Sequence, residues 1–151
     1  MTEFKSATPQ QSVGLQFWKL HQYWQKRVLE VLNPLSLTHT QFVILATLKW
    51  YQSQNAQPTQ QQISNVSGID KMTLSKAIRQ LEVQSYLARE KNSRDSRAVS
   101  LLITKTGSRI LVSALKKVEQ IDLEVLGVLG QKETLSLSNQ LFAINEALDI
   151  G

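Results

Sequence analysis

At 151 residues, with 42% hydrophobic content and no cysteine, the chain is long enough for one buried core and excludes disulfide, thiolate-zinc and thiol-redox chemistry. Nothing nears the roughly 18 uninterrupted apolar residues of a membrane span, and the N-terminus MTEFKSATPQQ lacks the basic and apolar stretches of a secretory signal. The expected compartment is therefore the cytoplasm, with no membrane partner.

The net charge of +5 is unevenly placed. Residues 70–109 hold nine Lys/Arg against four Asp/Glu, residues 1–69 five against two, and residues 110–151 three against six. The middle segment alone matches the surplus of the whole chain, which implies a polyanionic partner. The competing reading is a solvated basic face that serves only solubility.

In chain order, Phe17, Leu20, Trp24, Val28 and Val31 repeat at helical spacing, predicting a helix from about Gln11 to Leu32 that Asn33-Pro34 ends. Thr38 with Gln41 fits a capping box that opens a second helix, with Phe42, Leu45 and Leu48 inward, to about Tyr51. Residues 52–57 are polar and read as a loop. Thr59 with Gln62 offers another capping box and a short helix to about Val66, and Ser67-Gly68 then gives a tight turn with Gly68 free to take a positive φ.

Asp70 is placed to cap the next helix. Leu74, Ala77, Ile78 and Leu81 form one apolar face along it, and Met72, Ser75, Lys76 and Arg79 lie opposite. One face packs and the other presents donors and cations. Two strands are expected at about Leu87–Lys91 and Ala98–Ile103, with Val99, Leu101 and Ile103 on the buried side and Ser100 and Leu102 alternating with them. Between them runs Asn92-Ser93-Arg94-Asp95-Ser96-Arg97. A long apolar helix follows from about Lys105 to Leu129, and a last one from about Lys132 to Leu148 carries Leu137, Leu141, Ile144 and Leu148 at seam-like spacing.

Helix, turn, helix and basic hairpin is the order in which a protein places one helix in the DNA major groove and a loop beside it. Lys71, Met72, Thr73, Ser75 and Lys76 occupy the N-terminal half of the second helix, the half that meets base edges. Lysine donates to guanine O6/N7 or to phosphate, and both readings stand. Thr73 and Ser75 are short donors suited to phosphates. Met72 suits a thymine methyl or a local packing gap. Arg79 reads as a phosphate contact or a solvated charge. In the hairpin, Arg94 and Arg97 suit a narrow minor groove, with Asp95 placed to orient Arg97 by a charge-assisted bond. A surface salt bridge that stiffens the turn is the plainer alternative.

These residues resemble the MarR family of winged helix-turn-helix regulators. The carriers are Arg94-Asp95-Ser96-Arg97 followed by Leu101, Thr104 and Gly107; Leu37-Thr38, Gln41-Phe42, Leu45 and Leu48; Ile69-Asp70-Lys71-Met72-Thr73; Leu81-Glu82; and Arg89. The resemblance spans about Leu15 to Leu148. It implies a mainly α fold, in which a winged lobe with a two-stranded wing (about 37–104) is carried by N- and C-terminal dimerisation helices (about 11–33 and 105–149). It further implies a homodimer on a pseudo-palindromic double-stranded site, usually a repressor relieved by a small ligand and less often an activator. By the match, Lys71 to Lys76 would lie in the major groove, and Arg97, held by Asp95, would reach the minor groove. The sequence departs from the family at Ser85, where glycine is common after the second helix. A non-glycine residue in a left-handed conformation there costs about 1 kcal/mol.

The residues point to the dimer independently. The helices around Ile110–Leu129 and Leu135–Leu148 hold more apolar residues than one face of a small lobe buries, among them Ile110, Leu111, Leu115, Val118, Ile121, Leu123, Val125, Leu126, Val128 and Leu129. A two-fold dimer would set two recognition helices roughly 34–36 Å apart. Phe17, Trp18, Trp24 and Trp50, with Tyr23 and Tyr51 beside them, are candidates for an effector pocket, although such an aromatic stripe is more often core. His21 and His39 show no metal-ligand spacing and read as surface or interface histidines. No phosphate loop, nucleophile–base pair or paired acids appear, so neither cofactor nor enzyme activity is expected. The competing function is a winged-helix protein-interaction or adaptor module without sequence-specific DNA binding.

Overall fold

The computed structural model describes residues 8–92 and 97–150. Ser12 accepts the Leu15 N–H at 3.3 Å and opens helix α1, Val13–Leu32. A 3-10 turn at Asn33–Leu35 turns the chain through Ser36, whose φ is 55°. Helix α2, His39–Ser53, starts at a complete capping box: Thr38 Oγ1 accepts the Gln41 N–H at 3.1 Å, and Gln41 Oε1 accepts the Thr38 N–H at 2.9 Å. Helix α3, Gln60–Ser67, repeats the device with Thr59 and Gln62 at 3.3 and 2.8 Å. Gly68 follows at φ 67°, a conformation in which a Cβ would be strained.

Helix α4 spans Lys71–Val83. Strands β1, Leu87–Lys91, and β2, Val99–Ile103, pair antiparallel with Leu87 opposite Ile103 and Lys91 opposite Val99. Helix α5, Lys105–Leu126, ends in a 3-10 turn at Gly127–Leu129, and α6 spans Gln131–Ala147. The expected mainly helical fold with a two-stranded wing is borne out.

The core is built from one face of each of α1 to α5 and of the wing. Val28 and Leu32 of α1, Ile44, Leu45 and Leu48 of α2, Ile63 of α3 and Leu74, Ile78 and Leu81 of α4 are buried, closed over by Leu101 of β2 and by Leu111, Ala114, Val118 and Ile121 of α5. Among the described residues no single helix is long and apolar enough to cross a membrane.

Two expectations are corrected. In β2, Val99 is exposed and Ser100 fully buried, the reverse of the alternation read from the sequence. The reason is non-local: the segment before α3 docks along β2, where Leu101 N–H donates to Pro58 O at 2.9 Å and Thr59 bridges Ser100. The buried Ser100 hydroxyl accepts from Asn92 Nδ2 at 2.7 Å, so its polarity is satisfied. In α5, Leu111, Val118 and Ile121 find partners within their own chain, and Ile110, Leu115 and Val125 pack partly against the same core. Leu123, Val128 and Leu129 stay exposed. The surplus expected of the last helix is found there, since α6 buries no residue at all, and further exposed apolar side chains line the outer face of α1.

Candidate functional site

Asp70 starts α4 in extended backbone and accepts the Met72 and Thr73 N–H groups at 3.1 and 3.0 Å. The Thr73 hydroxyl and N–H, then the Met72 N–H, hold the Asp70 carboxyl below its ordinary range, so it is a charged cap at the positive end of the helix. The predicted faces separate as expected. Leu74, Ala77, Ile78 and Leu81 are buried, and Lys71, Met72, Thr73, Lys76 and Arg79 are exposed, Met72 to 84%. Ser75 is half-buried and its Oγ accepts from Gln60 Nε2, so this hydroxyl serves the joint between α3 and α4.

Polar bonds close the end of α3 and the turn that follows it. Ser64 Oγ donates to Ile69 O at 2.8 Å and Ser67 Oγ to Ile63 O at 2.7 Å. The far end of α4 is held by Gln41 Nε2 donating to Gln84 Oε1 at 3.3 Å and Gln84 Nε2 to Ser36 O at 3.4 Å.

The hairpin is tied to α4 through Arg89, whose Nε donates to Glu82 Oε1 at 2.7 Å. The pair joins two different elements, so charge patterning along the sequence does not disclose it. The pair is neutral and leaves the basic surplus unchanged, with Lys71, Lys76 and Arg79 as a separate exposed group on α4. Arg97 is exposed beside the start of β2. Arg94 and Asp95 lie outside the described residues.

A second site lies between α1, α5 and α6. Phe17, Leu20, Trp24, Val125, Leu126 and Leu141 wall a cleft of about 330 Å³, with His21 and Asp122 as its polar members. Of the expected pocket aromatics, Phe17 and Trp24 line this cleft. Trp18 lies elsewhere and exposed, and Trp50 packs edge-on against Tyr51 at 4.9 Å. Trp24 Nε1–H donates to Asp122 Oδ1 at 2.7 Å, a bond spanning 98 residues of sequence. Behind Trp24 its ring meets His39 at 5.2 Å, and His39 meets Phe42 at 6.3 Å. Burial, and then the neighbouring His21, push the His39 imidazole below its ordinary pKa, with Asp122 opposing. No group of His, Asp or Glu among the described residues is placed to hold a metal ion.

Two capped short helices joined by a glycine turn, followed by a paired hairpin, define a winged helix-turn-helix lobe, carried here between long N- and C-terminal helices. The family model of the ArnR1-like winged-helix domain matches residues 33–122. The chain is 33% identical over 129 residues to the uncharacterized HTH-type transcriptional regulator YdcH of Bacillus subtilis (strain 168), covering 85% of this chain and 88% of that protein. It belongs to this winged-helix family of helix-turn-helix transcriptional regulators, and the MarR resemblance is borne out in the fold. Bordetella bronchiseptica BpsR, solved in a study of how 6-hydroxynicotinic acid regulates its DNA binding, superposes with a TM-score of 0.79 at 21% identity, covering 93% of this chain and 97% of that one. A MarR variant from E. coli complexed with operator DNA superposes with a TM-score of 0.74 at 22% identity, covering 87% and 92%.

Proposed function

We propose that the protein is a cytoplasmic, non-enzymatic, homodimeric regulator that binds a pseudo-palindromic DNA site and responds to a small ligand, acting as a repressor. The observation that carries this reading is the division of α4 into a buried face and an exposed cationic one, with Asp70 and Gln84 fixing its two ends. The solved relatives bound to operator DNA or regulated by a small acid support it.

In this reading Lys71, Met72, Thr73 and Lys76 enter the major groove and Arg79 meets phosphate. Arg97, with Arg94 and Asp95, belongs to the wing at the minor groove. The exposed Val13, Phe17 and Trp18 of α1 and Leu135, Phe142 and Ile144 of α6 are the surface a second copy would cover. Residues of about 11–33 and 105–149 thus form the dimerisation part, and about 37–104 the DNA-binding lobe.

The test is the salt dependence of binding to a selected operator. Lys71→Ala and Lys76→Ala should each lower the slope of log K against log salt by about one unit if the lysine neutralises a phosphate. An unchanged slope in both variants would refute phosphate contact by α4.

A further inference from the structure

Of the five groove candidates between residues 71 and 76, two already serve the fold. The Thr73 hydroxyl donates to the Asp70 carboxylate, and the half-buried Ser75 Oγ accepts from Gln60 Nε2. Lys71, Met72 and Lys76 are left exposed. Residues 71–76 hold no asparagine, glutamine or arginine. The two-point amide contact to adenine is therefore not available from this half of α4, and the lysines serve guanine or phosphate alike.

Met72 differs from its neighbours in kind. It is 84% exposed and belongs neither to the core nor to the side chains packed against it. Methionine's plainer use, filling a local gap, is thus excluded. Its backbone is fixed, because the Met72 N–H donates to Asp70 Oδ1 at 3.1 Å, so the side chain departs from a set point on the first turn of α4. An apolar side chain held in water there gains by covering apolar surface on its partner. Among the groups that base pairs present in the major groove, the thymine C5-methyl is the apolar one.

We infer that Met72 is a specificity-determining residue, whose thioether side chain covers the C5-methyl of one thymine in each operator half-site. The inference rests on the reading of α4 as the helix that enters the major groove, and adds the base it selects. An unbranched side chain meets a methyl group without a fixed hydrogen-bond direction. Cytosine, adenine or guanine in the same place would put polar edge under Met72, which loses its water and finds no partner there. Lys71 and Lys76 supply attraction through charge, so affinity and base selection are divided between neighbouring residues.

The test uses the full chain and the duplex recovered by selection from a random pool. Each thymine of the half-site is replaced in turn by deoxyuridine, which keeps every hydrogen bond and removes only the methyl group. One position, repeated in both half-sites, should lower affinity by about fourfold per half-site, the worth of one buried methyl group. Met72→Ala should lose a comparable amount on the unaltered duplex and no longer respond to deoxyuridine at that position. Its salt slope should match that of the unaltered chain, since an uncharged side chain releases no counterion. An unchanged melting temperature checks that the variant keeps its fold. If no thymine is methyl-sensitive, or if Met72→Ala keeps the full sensitivity, the assignment is overturned while the DNA-binding reading stands on selective binding and the lysine slopes. Failure to recover any preferred duplex would overturn both.

Discussion

Gly107 lies so close to the Tyr86 carbonyl that no Cβ fits between them. The contact brings the first turn of α5 against the start of β1. Around it Thr104 Oγ1 accepts the Gly107 N–H at 3.0 Å and donates to Ser85 O at 2.7 Å, and Thr104 N–H donates to Tyr86 O at 3.1 Å. The threonine and glycine of the signature thus form one joint between the wing and the helix that leaves it. Gly107→Ala should destabilise the fold by about 2 kcal/mol, since a backbone carbonyl must move to admit the methyl group. Urea denaturation checks this, and a loss below about 0.5 kcal/mol would contradict the close approach.

Ser85, on the other side of Tyr86, has φ 59° and closes α4 with Ser85 N–H donating to Glu82 O and Tyr86 N–H to Leu81 O, both at 2.9 Å. This is a left-handed helix end occupied by a residue with a Cβ. Ser85→Gly should relieve strain and raise stability by up to about 1 kcal/mol, partly offset by the greater freedom of glycine in the unfolded chain. A fall in the melting temperature would contradict this account of the turn.

The depressed pKa of His39 gives stability a pH slope of known sign. In the window between its lowered folded value and the ordinary 6.5, the unfolded chain holds more protons than the folded one. Stability is therefore complete above 6.5 and falls as pH drops through that window. His39→Phe keeps a ring between Trp24 and Phe42 and should flatten the slope between pH 7.5 and 5.5, as read by thermal melts. Asp70 acts in a different window: its lowered carboxyl contributes stability above its ordinary 3.8 that is lost as pH falls through the folded value. Persistence of the full slope between pH 7.5 and 5.5 in His39→Phe would assign it to another group.

The parts legible from the sequence are those decided within a few residues. Thr38 with Gln41, Thr59 with Gln62, Asp70 before Met72, and Gly68 each act through bonds spanning at most four residues, and all four took the expected form. The buried face of α4 was equally readable, because helical period alone places Leu74, Ala77, Ile78 and Leu81 together. What escaped is non-local. Ser100 turned inward because Pro58 and Thr59 arrive along β2 from 40 or so residues earlier in the chain. Glu82 with Arg89, and Trp24 with Asp122, pair across elements, and no periodicity announces such a pairing. Phe17 and Trp24 were candidates on aromatic character alone, whereas His21, Asp122 and Leu141 join their cleft only once three helices converge.

The central claim is that two copies of α4 read DNA as a symmetric pair, and selection of bound sequences from a random duplex pool tests it most directly. The account predicts enrichment of an inverted repeat with half-site centres about one helical turn apart, roughly 34–36 Å. Arg97→Ala should bind the recovered site more weakly than the unaltered chain. Recovery of no preferred sequence, or of a single unrepeated half-site, would contradict the account.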